Sequence, residues 1–221
     1  YSEMTKGLEA FGLSSFRHGQ AQVISSVMSG RNTVVVMPTG AGKSLCYQLP
    51  AVVLGATGGV TLVVSPLIAL MKDQVDGLRV DGVDAAYLNS TQTAAERDEV
   101  IASLKADRCR LLYVSPERLV GEGSQTFRRM LARWGVRFIA IDEAHCISQW
   151  GHDFRPEYRQ LGMLRADFPG ASFHAFTATA TERVRHDIVT ELRLNEPLVL
   201  VGSFDRPNLT YRVLRRGTLK K

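Results

Sequence analysis

"TVVVMPTGAGKSLCYQL", Thr33 to Leu49, joins an apolar run to a helical pattern through a loop containing Gly40 and Gly42. The run "TVVVM" is β-branched and shows no polar alternation, as a strand buried on both faces requires. Glycines between a strand and a helix let backbone N–H groups converge on an anion, and the helix adds its positive N-terminal end. Pro38, Thr39, Gly40, Ala41 and Gly42 would form such a cradle, with Lys43 reaching β- and γ-phosphates and Ser44 ligating Mg²⁺. The full pattern asks for Gly where Met37 stands, so only its second half is met. A plain glycine turn is the competing reading, but Gly-Lys-Ser directly after a strand favours phosphate.

The same strand-then-helix rhythm continues outward. Further strands are expected at 60–64, 85–88, 110–114, 137–141, 172–176 and 198–201. Amphipathic helices are expected near 43–54, 67–80, 93–105, 124–134, 157–167 and 181–193. Two more helices precede the first strand within residues 3–30. This alternation predicts an α/β fold, an open and mainly parallel sheet with helices on both faces, and leaves the strand order open. Residues 1–205 read as one unit. Residues 206–221 read as a basic linker with a short β-prone piece, "LTYRVL".

A phosphate cradle needs acids nearby, and "FIAIDE" (138–143) places Asp142 and Glu143 at the end of another buried strand. Asp142 would hold Mg²⁺ through water, and Glu143 would orient or deprotonate an attacking water. Alone, the pair reads more readily as a helix cap. About 100 residues after the cradle, it completes a nucleoside triphosphatase. Seven residues on, "WGHDFRPEY" (150–158) adds Trp150, His152, Phe154 and Arg155. Trp150 and Phe154 are four apart, but Gly151 and Pro156 break a buried helix, so exposed rings on a loop are the better reading. Such rings stack on unpaired bases, and Arg155 could meet a phosphate.

The 221 residues are 45% hydrophobic and 22% charged, with a net charge of +5. Six cations and no acids lie between Arg206 and Lys221, so the remainder is close to neutral and nucleic-acid binding must rest on local features. The three cysteines have neither disulfide nor metal spacing. No apolar run reaches the roughly 18 residues of a membrane span, and no membrane partner is expected. These features suit a reducing, cytoplasmic setting, nucleoid-associated or nuclear according to the organism.

Read together, "MPTGAGKSLCYQLP" (37–50) and "DEAHCISQWGHDFRPEY" (142–158) resemble the RecQ family of superfamily 2 DNA helicases. "FGLSSFRHGQ" (11–20), "VVSPLIALMKDQV" (63–75), "LNST" (88–91), "YVSPERL" (113–119), "FTATAT" (176–181) and "SFDRPNL" (203–209) follow in that family's order. The resemblance implies a RecA-like P-loop NTPase lobe, one of two that enclose ATP with Mg²⁺ and move 3′ to 5′ along DNA. It implies adenine recognition by Gln20, with Arg17 over the base and Leu13 against the purine. It implies contacts to single-stranded or partly duplex DNA from Ser65, Lys72, Asn89, Ser90 and Arg118, although Lys72 and Arg118 read equally as solvated charges. Thr177 and Thr179 would couple the acids to the DNA site, or only cap the next helix. His145 and Gln149 would relay a DNA-induced change in residues 149–158 toward the γ-phosphate. A second lobe would supply arginines, so this lobe alone should unwind little. An RNA helicase lobe and a non-hydrolysing nucleic-acid scaffold are the alternatives.

Overall fold

The computed structural model describes residues 2–17, 19–38, 42–178, 181–202 and 211–214. Thr39, Gly40, Ala41 and Thr179, and most of the tail after Gly202, lie outside the described residues. The chain opens with α1 (Ser2–Ala10) and α2 (Gln20–Met28), then runs β1 (Thr33–Val36), α3 (Leu45–Leu54), β2 (Val60–Val64), α4 (Ile68–Val80) and β3 (Ala85–Leu88). It continues through α5 (Ala94–Lys105), β4 (Leu111–Val114), α6 (Pro116–Val120), α7 (Gln125–Trp134) and β5 (Val136–Ile141). Last come α8 (Leu164–Asp167), β6 (Ser172–Thr177), α9 (Glu182–Glu191), β7 (Leu198–Gly202) and β8 (Tyr211–Leu214).

The strands form one sheet in the order β3-β4-β2-β5-β6-β1-β7-β8. All pairings are parallel except β7 with β8, which is antiparallel. The β-prone piece expected in the tail is therefore an edge strand. Strand alternation divides the core into two layers. Val34, Leu62, Val64, Leu112, Val114, Ile139, Ile141 and Phe173 face one layer, closed by Val100, Leu104, Leu131, Leu164, Val184 and Ile188 from α5, α7, α8 and α9. Val35, Val63, Leu111, Tyr113, Phe138, Ala140 and Phe176 face the other, closed by α1 to α4 through Leu8, Val23, Ile24, Leu49, Met71 and Val75. Each fully buried Val, Leu or Ile contributes on the order of 1.5–3 kcal/mol. Both faces are covered, which is why the strand runs lack polar alternation.

Residues 157–167, expected as one helix, are a 3-10 helix over Pro156–Met163 followed by the single turn of α8. Two constraints tighten this segment. Tyr158 is fully buried and donates its hydroxyl to the Asp142 carbonyl at 2.9 Å. Gly162 lies so close to the Glu191 carbonyl that a Cβ would overlap it. Tertiary packing here overrides the helical pattern, which periodicity alone could not show.

A buried polar group sits on the Phe138 face of the sheet. His174 on β6 is fully buried, shares hydrogen bonds with Thr33 through Nδ1 and with Ser172 through Nε2, and meets the Phe138 ring edge-on at 5.3 Å. Burial pushes its pKa down to about 3, from an ordinary value of 6.5. Between those values the unfolded chain binds a proton that the folded chain does not, so stability rises with pH across the window and is fully present above 6.5. The slope is about 1.4 kcal/mol per pH unit. Urea unfolding of His174→Gln and the parent between pH 5 and 7 should show the parent losing roughly 2 kcal/mol more on acidification. Equal losses in the two proteins would remove His174 as the cause.

Candidate functional site

The carboxyl ends of the parallel strands form one continuous edge. Ser115 N–H donates to the Leu88 carbonyl (3.2 Å), Ser65 N–H to Val114 (3.2 Å), Asp142 N–H to Val64 (2.9 Å), and Met37 N–H to Thr177 (2.9 Å). Ligands of open α/β sheets gather at this edge. The cradle leaves β1 and the acids leave β5, with β6 between them. The connection of about 100 residues thus returns the chain two sheet positions away, and Thr177 at the end of β6 lies between the two motifs.

Lys43 joins the motifs. Its Nζ lies 2.9 Å from Asp142 Oδ1 and 3.3 Å from Glu143 Oε1. Consecutive residues in a strand point to opposite faces, so both acids can meet one cation only if the backbone turns. Glu143 supplies the turn with left-handed backbone (φ 51°, ψ 43°), at a cost of about 1–3 kcal/mol. Its N–H donates to Asp142 Oδ1 at 2.9 Å, which fixes the first carboxylate. Burial pushes the Asp142 carboxyl above its ordinary range, opposed by Lys43. Burial also works against the Lys43 ammonium, but the two acids hold it above its ordinary value.

Tyr47, one helical turn beyond Lys43, completes the pocket. It is fully buried and donates to Asp142 Oδ2 at 3.4 Å. Ser44 at the start of α3 and Asp142 supply oxygen donors of the kind a hard cation takes. Gln20 braces the cradle from α2. Its Nε2 donates to the Gly42 carbonyl (3.0 Å), and its Oε1 accepts from Arg17 N–H (2.7 Å). Gly42 has φ +77°, and a Cβ there would run into the Gln20 amide. The Gln20 amide keeps one N–H and one lone pair for a further partner. Leu13 is exposed beside Phe11 and Phe16, which pack on the core.

From Glu143 a strap leads to the rings. It begins with a 3-10 turn, Ala144–Ile147, and continues into a loop closed where Arg155 N–H donates to the Cys146 carbonyl at 2.8 Å. No helix spans Trp150 to Phe154. Gly151 fits within this loop because a Cβ would lie 2.6 Å from the His145 carbonyl. His145 is buried and ties the start of the strap to Glu143 and to β6. Its Nδ1 shares a hydrogen bond with Thr177 Oγ1 (2.8 Å), and its Nε2 lies 3.5 Å from Glu143 Oε2. Burial lowers its pKa, with Glu143 opposing. The exposed His152 ring stacks on it at 4.3 Å. Trp150 is 68% exposed, and Arg159 covers half-buried Phe154 at 5.5 Å. Arg155 pairs with Asp153 at 3.3 Å. Gln149 is exposed on the loop.

The remaining expected residues scatter along the sheet edge. Ser90 is exposed and Arg118 half-buried. Ser65 accepts from Leu67 N–H at 3.2 Å. Lys72 is exposed and paired with Asp76, one turn along its own helix, at 2.6 Å. Asn89 is buried, and its oxygen accepts from Thr91 N–H (2.9 Å) and Oγ (2.6 Å), which shapes a turn. His145, Cys146 and Asp153 place donor atoms within 4.8 Å of one another, but Thr177, Glu143 and Arg155 already engage the histidine and the aspartate. Sequence reasoning missed Tyr47 and Tyr158. The position of Tyr47 in the first turn of the helix that follows Lys43 was the available signal. Nothing local marked Tyr158.

With this geometry in place, comparisons with known proteins give a consistent result. A DEAD/DEAH box helicase family model matches residues 17–188. The ATP-dependent DNA helicase RecQ of Pasteurella multocida is 52% identical over 206 residues, covering 93% of this chain and 32% of that protein. The ATP-dependent DNA helicase RecQ of Bacillus subtilis is 47% identical over 207 residues, covering 93% of this chain and 34% of that protein. The chain spans about a third of the length of these relatives. Among solved structures, the Pyrococcus furiosus Hef helicase domain matches with TM-score 0.60 at 20% identity, over 87% of this chain and 38% of that one. DNA-bound MrfA helicase matches with TM-score 0.69 at 19% identity, over 91% and 29%. At these identities the likeness is one of fold, the expected RecA-like lobe. The family model covers most of the chain, and Asp142-Glu143-Ala144-His145 spells its signature: the chain belongs to the DEAD/DEAH box helicases, with RecQ enzymes among its relatives.

Proposed function

We propose that this chain is the first motor lobe of an ATP-dependent DNA helicase that moves 3′ to 5′ on single-stranded DNA. The observation that carries the reading is Lys43 held between Asp142 and Glu143 at one end of a strap whose other end presents Trp150. Lys43 binds the β- and γ-phosphates of ATP, while Gln20 and Arg17 meet the adenine beside Leu13. Ser44 and Asp142 would hold Mg²⁺, which when bound neutralises phosphate charge. Glu143 orients the attacking water and takes its proton. His145 contacts Glu143 and Thr177 together, so a shift of the strap changes where that carboxylate points. Trp150, Phe154 and Arg155 meet bases and phosphates, joined along the sheet edge by Ser65, Ser90 and Arg118.

The relatives' extra length leaves room for a second lobe carrying the arginines that stabilise the transferring phosphate. No described helix is long and apolar enough to cross a membrane. The testing experiment measures ATP hydrolysis by the full-length protein with no nucleic acid, with single-stranded DNA and with RNA. Strong stimulation by DNA and little by RNA is expected. Equal stimulation by RNA would favour an RNA helicase, and absence of hydrolysis under all three conditions would favour a scaffold.

A further inference from the structure

The unit formed by β6 and α9 touches the strap at three successive points. Thr177 bonds His145 at the nucleotide end. Asp187 Oδ2 accepts from Ser148 Oγ at 2.6 Å, and Ser148 Oγ accepts from Trp150 N–H at 3.1 Å. Arg183, one turn before Asp187 on α9, sits over the Trp150 ring at 5.3 Å, with its Nε 3.8 Å from Asp187 Oδ1. These contacts differ in exposure. Ser148 is fully buried and the Asp187 side chain 16% exposed, whereas the Arg183 side chain is 62% exposed. The first pair is a pivot, and the second is an outer clasp on an otherwise exposed ring.

We propose that Arg183 is a positioning residue that parks Trp150 against α9, so that DNA must displace the guanidinium before the ring can stack on a base. This rests on the reading of Trp150 as a base-stacking residue. A cation over an indole face at an exposed site is equivalent to about a two- to fivefold change in an equilibrium constant. That is enough to tune a response and too little to abolish it. Asp187 holds both the strap, through Ser148, and the clasp, through Arg183. Movement of the loop is therefore felt along α9, continuous in sequence with the strand that carries Thr177.

The test uses the full-length protein with Arg183→Ala and Arg183→Lys. Arg183→Ala should reach half-maximal DNA-stimulated ATP hydrolysis at about two- to fivefold lower single-stranded DNA concentration, with Arg183→Lys closer to the parent. In a full-length background in which every tryptophan except Trp150 is replaced by Phe, Trp134 among them, Arg183→Ala should raise acrylamide quenching of its fluorescence without DNA. An unchanged half-maximal concentration and unchanged quenching would overturn the proposal. A higher half-maximal concentration would also overturn it, by making Arg183 a direct DNA contact. If DNA failed to stimulate the parent at all, the functional reading itself would fail, while the quenching result would still decide whether the clasp exists.

Discussion

Glu143→Gln should lower DNA-stimulated ATP hydrolysis by about two to four orders of magnitude while leaving ATP binding nearly intact. The substitution keeps size and one oxygen but removes the basic carboxylate that would accept the water proton. Lys43 keeps its 2.9 Å partner, Asp142, so the phosphate cation stays in place. The left-handed turn at Glu143 remains equally available to Gln, and the N–H bond to Asp142 survives. Removing Lys43 would be a different injury. Two neighbouring carboxylates would lose their shared cation, and nucleotide affinity should fall along with turnover. Rapid-quench hydrolysis combined with fluorescent-nucleotide binding separates the two cases. A Glu143→Gln protein that hydrolyses ATP within tenfold of the parent would remove Glu143 from the role of base.

Trp150→Ala should leave ATP binding unchanged and weaken productive single-stranded DNA engagement by about five- to a hundredfold, the range of one lost base stack. The ring contributes little to the core at 68% exposure, so its removal should not unfold the lobe. Phe154→Ala should do less, because that ring is half-buried under Arg159 and offers less face to a base. The readouts are the DNA concentration at half-maximal ATPase and the maximal stimulated rate. Full retention of both in Trp150→Ala would end the sensor reading.

Much of this was legible from residue patterns, for identifiable reasons. β2 and β3 fell at their expected bounds because runs such as "VTLVV" are buried on both faces and end at turn residues. The meeting of Lys43 with Asp142 and Glu143 was readable because both motifs follow the carboxyl ends of buried strands. Two kinds of information were not local. The placement of β6 between β1 and β5, which gives Thr177 its bond to His145, depends on strand order, and no single element encodes it. The 3-10 geometry of Pro156–Met163 depends on Glu191 pressing on Gly162 and on Tyr158 reaching Asp142, contacts 29 and 16 residues apart in the chain. The turn that Asn89 makes with Thr91 was likewise not read from the pattern.

On the proposed reading the acids and the aromatic loop are two ends of one strap, with His145 and Thr177 between them. A double-mutant cycle of Trp150→Ala and Thr177→Val tests it most directly, with fold stimulation of ATP hydrolysis by single-stranded DNA as the measurement. Residues acting through one path are non-additive. The double variant should lose no more stimulation than the worse single variant. Losses that multiply, with each substitution acting in full regardless of the other, would contradict it.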